Sequence, residues 1–273
     1  MLKQRVITAA IGVPLVILAV WFGEPWFSIL IGAVALAVAL EFYHLIAASH
    51  KGCPLTYFGL LWTLVLVLSP HYQNISVLNV DVLPLAITLP IMISLVWLLH
   101  RSPREKAFDN WAWTVAGALY AGWMLSYWLN LRILEDGRDW VYLGLLTTFA
   151  NDTGAFFIGR TWGKHKLAPA ISPSKTWEGV VGGLLSAILG AIVVMIILNF
   201  ISPFTFTYWQ FILLGCLISL FAQLGDLVES LLKRNMGAKE SGKLLPGHGG
   251  ILDRFDSLIF VGAVVYYYVV FAL

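Results

Sequence analysis

Residues 177–201 read WEGVVGGLLSAILGAIVVMIILNFI, with Glu178 the single charged side chain in the run. An α-helix needs about 20 mostly apolar residues to cross the hydrocarbon core of a bilayer. This stretch is long enough, and far too long for one buried strand. The same standard is met or approached at about 5–23, 26–47, 56–70, 82–99, 111–131, 140–159, 208–232 and 255–272. The run at 56–70 is short, and Asn151-Asp152 interrupts the run at 140–159. Lys3 and Arg5 ahead of the first run mimic a signal peptide, but Phe22-Gly23-Glu24-Pro25-Trp26 offers no small-residue cleavage site. The first run therefore reads as a retained helix. The expected fold is an all-α polytopic integral membrane protein of about nine transmembrane helices.

Composition agrees. Hydrophobic residues make up 59% and charged residues 12% of 273, against roughly 45–50% and about 25% in soluble proteins. Mean hydropathy is +0.83. A water-soluble single domain is nearly excluded, because its surface would need more charge. Cys53 and Cys216, far apart in apolar surroundings, exclude a secreted disulfide scaffold. The net charge of +2 is too small to imply a nucleic-acid partner.

Charge placement sets the topology. With the N-terminus cytoplasmic, the inner side holds Lys3, Arg5, Lys51, Arg101, Arg104, Lys106, Arg160, Lys164, Lys166, Lys175, Lys233, Arg234, Lys239, Lys243 and Arg254. The outer side keeps Arg132 and Arg138. Positive residues favour the cytoplasmic side, and one missed span would scramble this split. The C-terminus is then expected on the opposite side. Residues 1–139 read as a transmembrane scaffold, and 140–273 as a catalytic region with cytoplasmic loops 160–176 and 233–254. Loops on a rigid scaffold usually carry function. No internal repeat supports an inverted-repeat transporter.

Acids inside or beside spans are expensive in lipid and are functional suspects by default. Asp226, Glu229, Ser230 and Lys233 recur at i, i+3, i+4 and i+7, one helical face. Asp253 and Asp256, with Arg254 between them, open the last span. Two carboxylate pairs at the membrane surface suit Mg²⁺, which takes a few carboxylate oxygens and completes its octahedron with water and phosphate. Helix-end salt bridges with Lys233, Arg234 and Arg254 are the plainer alternative. Between these acids runs Gly237 to Gly250, rich in glycine and lysine, ahead of a helix N-terminus. Such a segment can cradle phosphates or simply attract anionic headgroups.

The other loop contains Gly159-Arg160-Thr-Trp-Gly163-Lys164, whose spacing is wrong for a phosphate-binding P-loop. Ser172 through Glu178 reads as a capped helix start, with Ser174 or Thr176 as cap and Glu178 at the positive end of the dipole. Lys175 is unfavourable at that end unless an anion partners it. Asp152 reads as a site residue or as the partner of a cation. Glu41 and His44, at i and i+3, read as an interhelical polar contact near the cytoplasmic surface.

The segment from Ser230-Leu-Leu-Lys233-Arg234 through Lys239-Glu240, Gly242 and Leu245-Pro246-Gly247-His248-Gly249-Gly250-Ile251-Leu252-Asp253-Arg254-Phe255-Asp256 resembles the signature of the phosphatidate cytidylyltransferase (CDP-diacylglycerol synthase) family. The family pattern usually has Asp where Glu240 stands. Ser172-Pro-Ser-Lys175-Thr-Trp-Glu178-Gly179 and Gly163-Lys-His-Lys166-Leu-Ala-Pro169 resemble further blocks, so the resemblance is strong over roughly 150–260.

The resemblance implies an Mg²⁺-dependent enzyme of the bacterial inner membrane, its site facing the cytoplasm. It would make CDP-diacylglycerol and pyrophosphate from CTP and phosphatidic acid. Asp226 and Asp253 are then expected as metal ligands, and Asp256 as a ligand or support, with a second cation left open. Lys233, Arg234, Lys175 and Arg254 would hold phosphates, with Ser172, Gly249 and Gly250 at the substrate. Ser230 would orient or ligate, because no base is visible to activate it as a nucleophile. His248 would serve a phosphate or the leaving pyrophosphate, or structure the loop. Membrane lipids, and room for a homodimer, complete the expected partners. The rival readings are a sibling CTP-dependent enzyme acting on an archaeol lipid or a polyprenol, and a transporter.

Overall fold

The computed structural model describes residues 2–72, 82–100, 106–200, 207–244, 247 and 249–272. His248, Leu245 and Pro246 of the signature, and Arg101 and Arg104 of the inner-side charges, lie outside them. The chain is an all-α membrane protein, mostly helical. In order come α1 (Leu2–Phe22), α2 (Trp26–Ala48), α3 (Thr56–Val67), a 3-10 turn at Ser69–Tyr72 and α4 (Val82–Leu98). Then α5 (Ala107–Gly117), a π-helical segment (Ala118–Trp123) and α6 (Met124–Ile133) run as one continuous rod. The rest comprises α7 (Gly137–Trp162), strands β1 (Lys166–Ala168) and β2 (Ser172–Thr176), α8 (Trp177–Asn199), α9 (Tyr208–Asn235) and α10 (Leu252–Ala272). Among the described residues four helices are long and apolar enough to cross a membrane: α2, α8, α9 and α10.

Two compact units emerge. The first comprises Met1–Asn130 with Asn235–Phe255, and the second Leu131–Arg234 with Asp256–Leu273. The glycine-rich signature stretch thus groups with the N-terminal helices, and the helical face of Asp226 with α7 and α8.

In the first unit, Trp62, Leu66, Ala86 and Ala118 form a buried core cluster. Two buried aromatic tips of this unit are bonded: Trp62 Nε1 donates to the Ala86 carbonyl at 2.9 Å, and the Tyr43 hydroxyl to the Thr114 carbonyl at 2.9 Å. Unpaired polar groups in a dry interior would cost more than those bonds contribute.

In the second unit, α8 shows why its residues both pack and face lipid. Val181, Leu185, Leu189, Val193 and Ile197 recur every fourth residue, each more than half exposed. Gly182, Gly183, Ala187, Ala191 and Val194 lie on the buried side. Small residues let helices approach closely where lipid supplies no hydrophobic drive. At Gly154 of α7 a methyl group would fall 2.0 Å from Ser186 Oγ of α8.

Asn151 and Asp152 do not break the sixth span, contrary to expectation; α7 runs helical through both. The polar side chains find partners sideways, so the backbone ladder has no reason to open. The loop after α7 is also more ordered than a plain loop. Strands β1 and β2 pair antiparallel, Lys166 opposite Thr176 and Ala168 opposite Ser172.

Candidate active site

The hairpin closes onto the start of α8. Of the two expected caps Thr176 serves: its Oγ1 accepts from Gly179 N at 3.2 Å, in extended backbone geometry. Glu178, in the first turn, accepts from the His165 backbone N–H at 3.2 Å and faces its Nδ1 at 2.6 Å. A carboxylate there suits the positive helix end and fastens the hairpin.

This anchoring presents Lys175 from β2. Its Nζ lies 2.8 Å from Asp226 Oδ2 and 3.4 Å from the Gln223 carbonyl, both on α9. The anion that Lys175 required is therefore, in the chain itself, Asp226. Ser230 Oγ donates to Asp226 Oδ1 at 3.3 Å, one turn along. Lys233 Nζ is 2.7 Å from Glu229 Oε2, whose side chain is fully buried. Arg234 Nε donates to the Ile171 carbonyl in the hairpin at 3.2 Å. The expected single face of α9 thus resolves into two pairs, Asp226 with Ser230 and Glu229 with Lys233.

Asp152 and Asp256 lie close enough to Asp226 and Lys175 for their charges to interact. Asp256 Oδ1 accepts from Ser257 N at 2.6 Å. Behind Asp152 stands a buried network. Asn151 Nδ2 donates to Asp152 Oδ1 at 3.0 Å, while Asn151 Oδ1 accepts from Ser219 Oγ at 2.7 Å and Gln223 Nε2 at 3.4 Å. Sequence reasoning left Asp152 open and missed Asn151, Ser219 and Gln223. The residues of the eighth span that bond Asn151 are four apart, a spacing that was legible but unassigned.

The donor set suits a hard cation. Mg²⁺ commonly binds through one or two carboxylates and takes its other oxygens from water and phosphate. Asp226, with Asp152 and Asp256 in electrostatic range, offers that chemistry. Among the described residues no three His, Cys, Asp or Glu side chains form a ready metal cage. An ion here would depend on substrate oxygens.

The first unit holds the other half of the signature. Asp253, in the first turn of α10, accepts at Oδ2 from Gly250 N at 2.8 Å and from both N and Oγ of Ser241 at 3.0 Å. Gly249 takes φ +82°, a left-handed conformation that favours glycine, and a Cβ there would fall 2.8 Å from the same Oδ2. Arg254 is exposed.

Glu41 changes the expectation for this segment. Glu41 makes the expected interhelical polar contact, while His44 is exposed: Glu41 is buried and receives three bonds from the signature stretch. Ile251 N donates to Oε1 at 3.0 Å, Leu252 N to Oε2 at 2.9 Å, and Ser241 Oγ to Oε2 at 3.0 Å. The helix N-terminus expected to meet a phosphate is held by the chain's own carboxylate. Bonds to a charged acceptor each contribute about 1.5–3 kcal/mol, so this seat is firm. The Gly250 N–H is likewise engaged by Asp253.

Comparison with known proteins fits the constellation. The profile described as "Cytidylyltransferase family" matches residues 3–272. The chain belongs to the cytidylyltransferase family. It is 33% identical over 270 residues to a phosphatidate cytidylyltransferase of Bacillus subtilis (strain 168), covering 97% of each chain. A phosphatidate cytidylyltransferase of Staphylococcus haemolyticus is 39% identical over 198 residues, 72% of this chain and 73% of that one. Its counterpart from Staphylococcus saprophyticus is 42% identical over 160 residues, 59% of each.

Proposed function

We propose that this protein is a CTP:phosphatidate cytidylyltransferase, joining CMP to phosphatidic acid with release of pyrophosphate. The observation that carries the reading is the match to the Bacillus subtilis enzyme across 97% of both chains. The phosphate of a lipid monoester is already largely dianionic near neutrality, its second pKa being about 6. It needs no strong base. It needs its charge neutralised and its oxygen held in line with the α-phosphorus of CTP.

Lys175, held by Asp226, supplies a fixed ammonium on the second unit. Lys233 and Arg234 add cations on α9, and Ser172 lies on the same hairpin strand as Lys175. Gly249 and Arg254 would meet phosphate on the first unit, whereas the Gly250 N–H, expected to do the same, is already bonded to Asp253. Ser230 orients Asp226 through the hydroxyl that it donates to Oδ1. The metal-ligand roles of Asp226 and Asp253, with Asp256 as a weaker candidate, belong to this proposal. Mg²⁺ held by Asp226, or by Asp253, would neutralise phosphate charge as a Lewis acid. A second cation has the same standing.

The reading also places nine spans in a bacterial inner membrane, N-terminus and site cytoplasmic, supported by the lysine and arginine distribution. A homodimer is consistent with it and is countable by mass photometry. The test of function is purified protein with CTP, Mg²⁺ and a panel of lipid phosphates, products identified by mass. CDP-diacylglycerol and pyrophosphate are expected from phosphatidic acid. Formation of a CDP-archaeol lipid or a polyprenyl phosphate in preference, or no product, overturns it.

A further inference from the structure

We infer that Glu41 of α2 is a positioning residue for the nucleotide-binding segment at 237–254, a role that rests on the functional reading above. The geometry is local to the first unit. Glu41 is 7% exposed and meets three donors, two from the N-terminus of α10 and one from Ser241. The segment is shaped around it. A Cβ on Gly242 would fall 2.5 Å from Glu41 Oε1, and one on Gly250 2.2 Å from Oε2. Both positions admit the carboxylate only because they lack side chains.

Ser241 links this seat to the signature aspartate. Its Oγ is 3.0 Å from Glu41 Oε2 and 3.0 Å from Asp253 Oδ2, and its N–H donates to Asp253 as well. Glu41 therefore sets the Ser241 hydroxyl, while Asp253 keeps its own backbone donors, Ser241 N and Gly250 N. The stretch between carries Lys239, Lys243 and Gly249, the groups left for phosphate once the α10 N–H groups are taken. Glu41 touches no substrate in this scheme. It fixes the backbone that does, so its loss weakens nucleotide binding more than chemistry.

Two variants test this in the full-length protein in detergent. Glu41→Gln keeps the shape but turns one oxygen into a donor facing donors. Gly242→Ala keeps the charge but crowds the carboxylate out of its seat. Both are expected to raise KM for CTP at least about tenfold, with kcat within about threefold of wild type. Local opening of the segment is expected to speed tryptic cleavage after Lys239 and Lys243, both exposed, at least about fivefold. Size-exclusion profile should be unchanged. Wild-type KM and wild-type cleavage in both variants overturn the inference, as does a loss of kcat at unchanged KM. If either variant aggregates, Ser241→Ala, which removes only the bridging hydroxyl, must show the same two shifts in milder form, and its wild-type behaviour overturns the inference equally. Cleavage is read without turnover. A wild-type protein inactive on CTP would sink the functional reading, while the cleavage arm would still decide whether Glu41 anchors the segment.

Discussion

Lys175 Nζ lies 2.8 Å from Asp226 Oδ2, joining the hairpin after α7 to the middle of the polar face of α9. The pair is partly open, with side chains 21% and 38% exposed, so it is neither a buried structural bridge nor a loose surface one. Surface pairs contribute about 0–1 kcal/mol to stability. Lys175 at the dipole-disfavoured start of α8 is therefore better explained by what the pair does to a third charge. A phosphate can recruit the ammonium and a cation the carboxylate without either losing all compensation.

Removing the carboxylate charge isolates its role. Asp226→Asn and Asp253→Asn nearly keep shape, so turnover is expected to drop at least ~100-fold in each, the scale of losing one preorganised electrostatic group. Turnover is measured across Mg²⁺ concentrations and after chelation by EDTA, which is expected to abolish wild-type activity. Near-normal rates in both variants would make these carboxylates structural.

The cations are separable from folding. Lys175→Ala sits ahead of α8, where truncation opens no core cavity; Lys233→Ala would strand the buried Glu229 carboxylate, so it is made together with Glu229→Gln. Both are expected to lose activity in neutral detergent with an intact size-exclusion profile. Wild-type turnover in both would remove them from the site and leave only attraction to anionic lipid.

Asn151 gives a stability prediction. Asn151→Leu leaves Ser219 Oγ and Gln223 Nε2 without the oxygen they share. A buried donor left unsatisfied costs about 1–3 kcal/mol, and Asp152 loses its orienting amide. Faster thermal inactivation in detergent and reduced turnover are expected together. An Asn151→Leu protein with wild-type half-life would show that water replaces the amide at no cost.

The helical runs were legible because a bilayer imposes one crude rule, length times apolarity, and every run expected from residues 5 to 272 falls on a helix. The Asp226–Ser230 contact was legible because i and i+4 share a face. Glu41 was not. Its partner Ser241 is 200 positions away, and no local period encodes a contact made by folding the chain back. The spacing of Glu41 with His44 suggested an interhelical polar contact but not which segment supplies the partner. The engaged α10 N-terminus was invisible for the same reason, since glycine-rich loops ahead of a helix look alike whether a phosphate or a distant carboxylate fills them. Asn151-Asp152 misled differently. Two polar residues suggest a break, yet side-chain partners on α9 let α7 continue.

Orientation in the membrane is decided by labelling. The charge distribution puts the segments at 101–106 and 233–254 on the cytoplasmic side and the α8–α9 connection opposite. With Cys53 and Cys216 replaced by serine or alanine, single cysteines at Arg104, Glu240 and Thr205 give three reporters. The inner pair is expected to react with a membrane-impermeant maleimide only in inverted vesicles, and Thr205→Cys only in intact cells. The comparison holds independently of activity, because labelling reads loop accessibility and the positive-inside bias acts during insertion. Moving one span in or out of the count reverses every later loop. Same-side labelling at 205 and 240 would therefore break the nine-span topology, and with it the cytoplasmic placement of Lys175, Asp226 and Asp253.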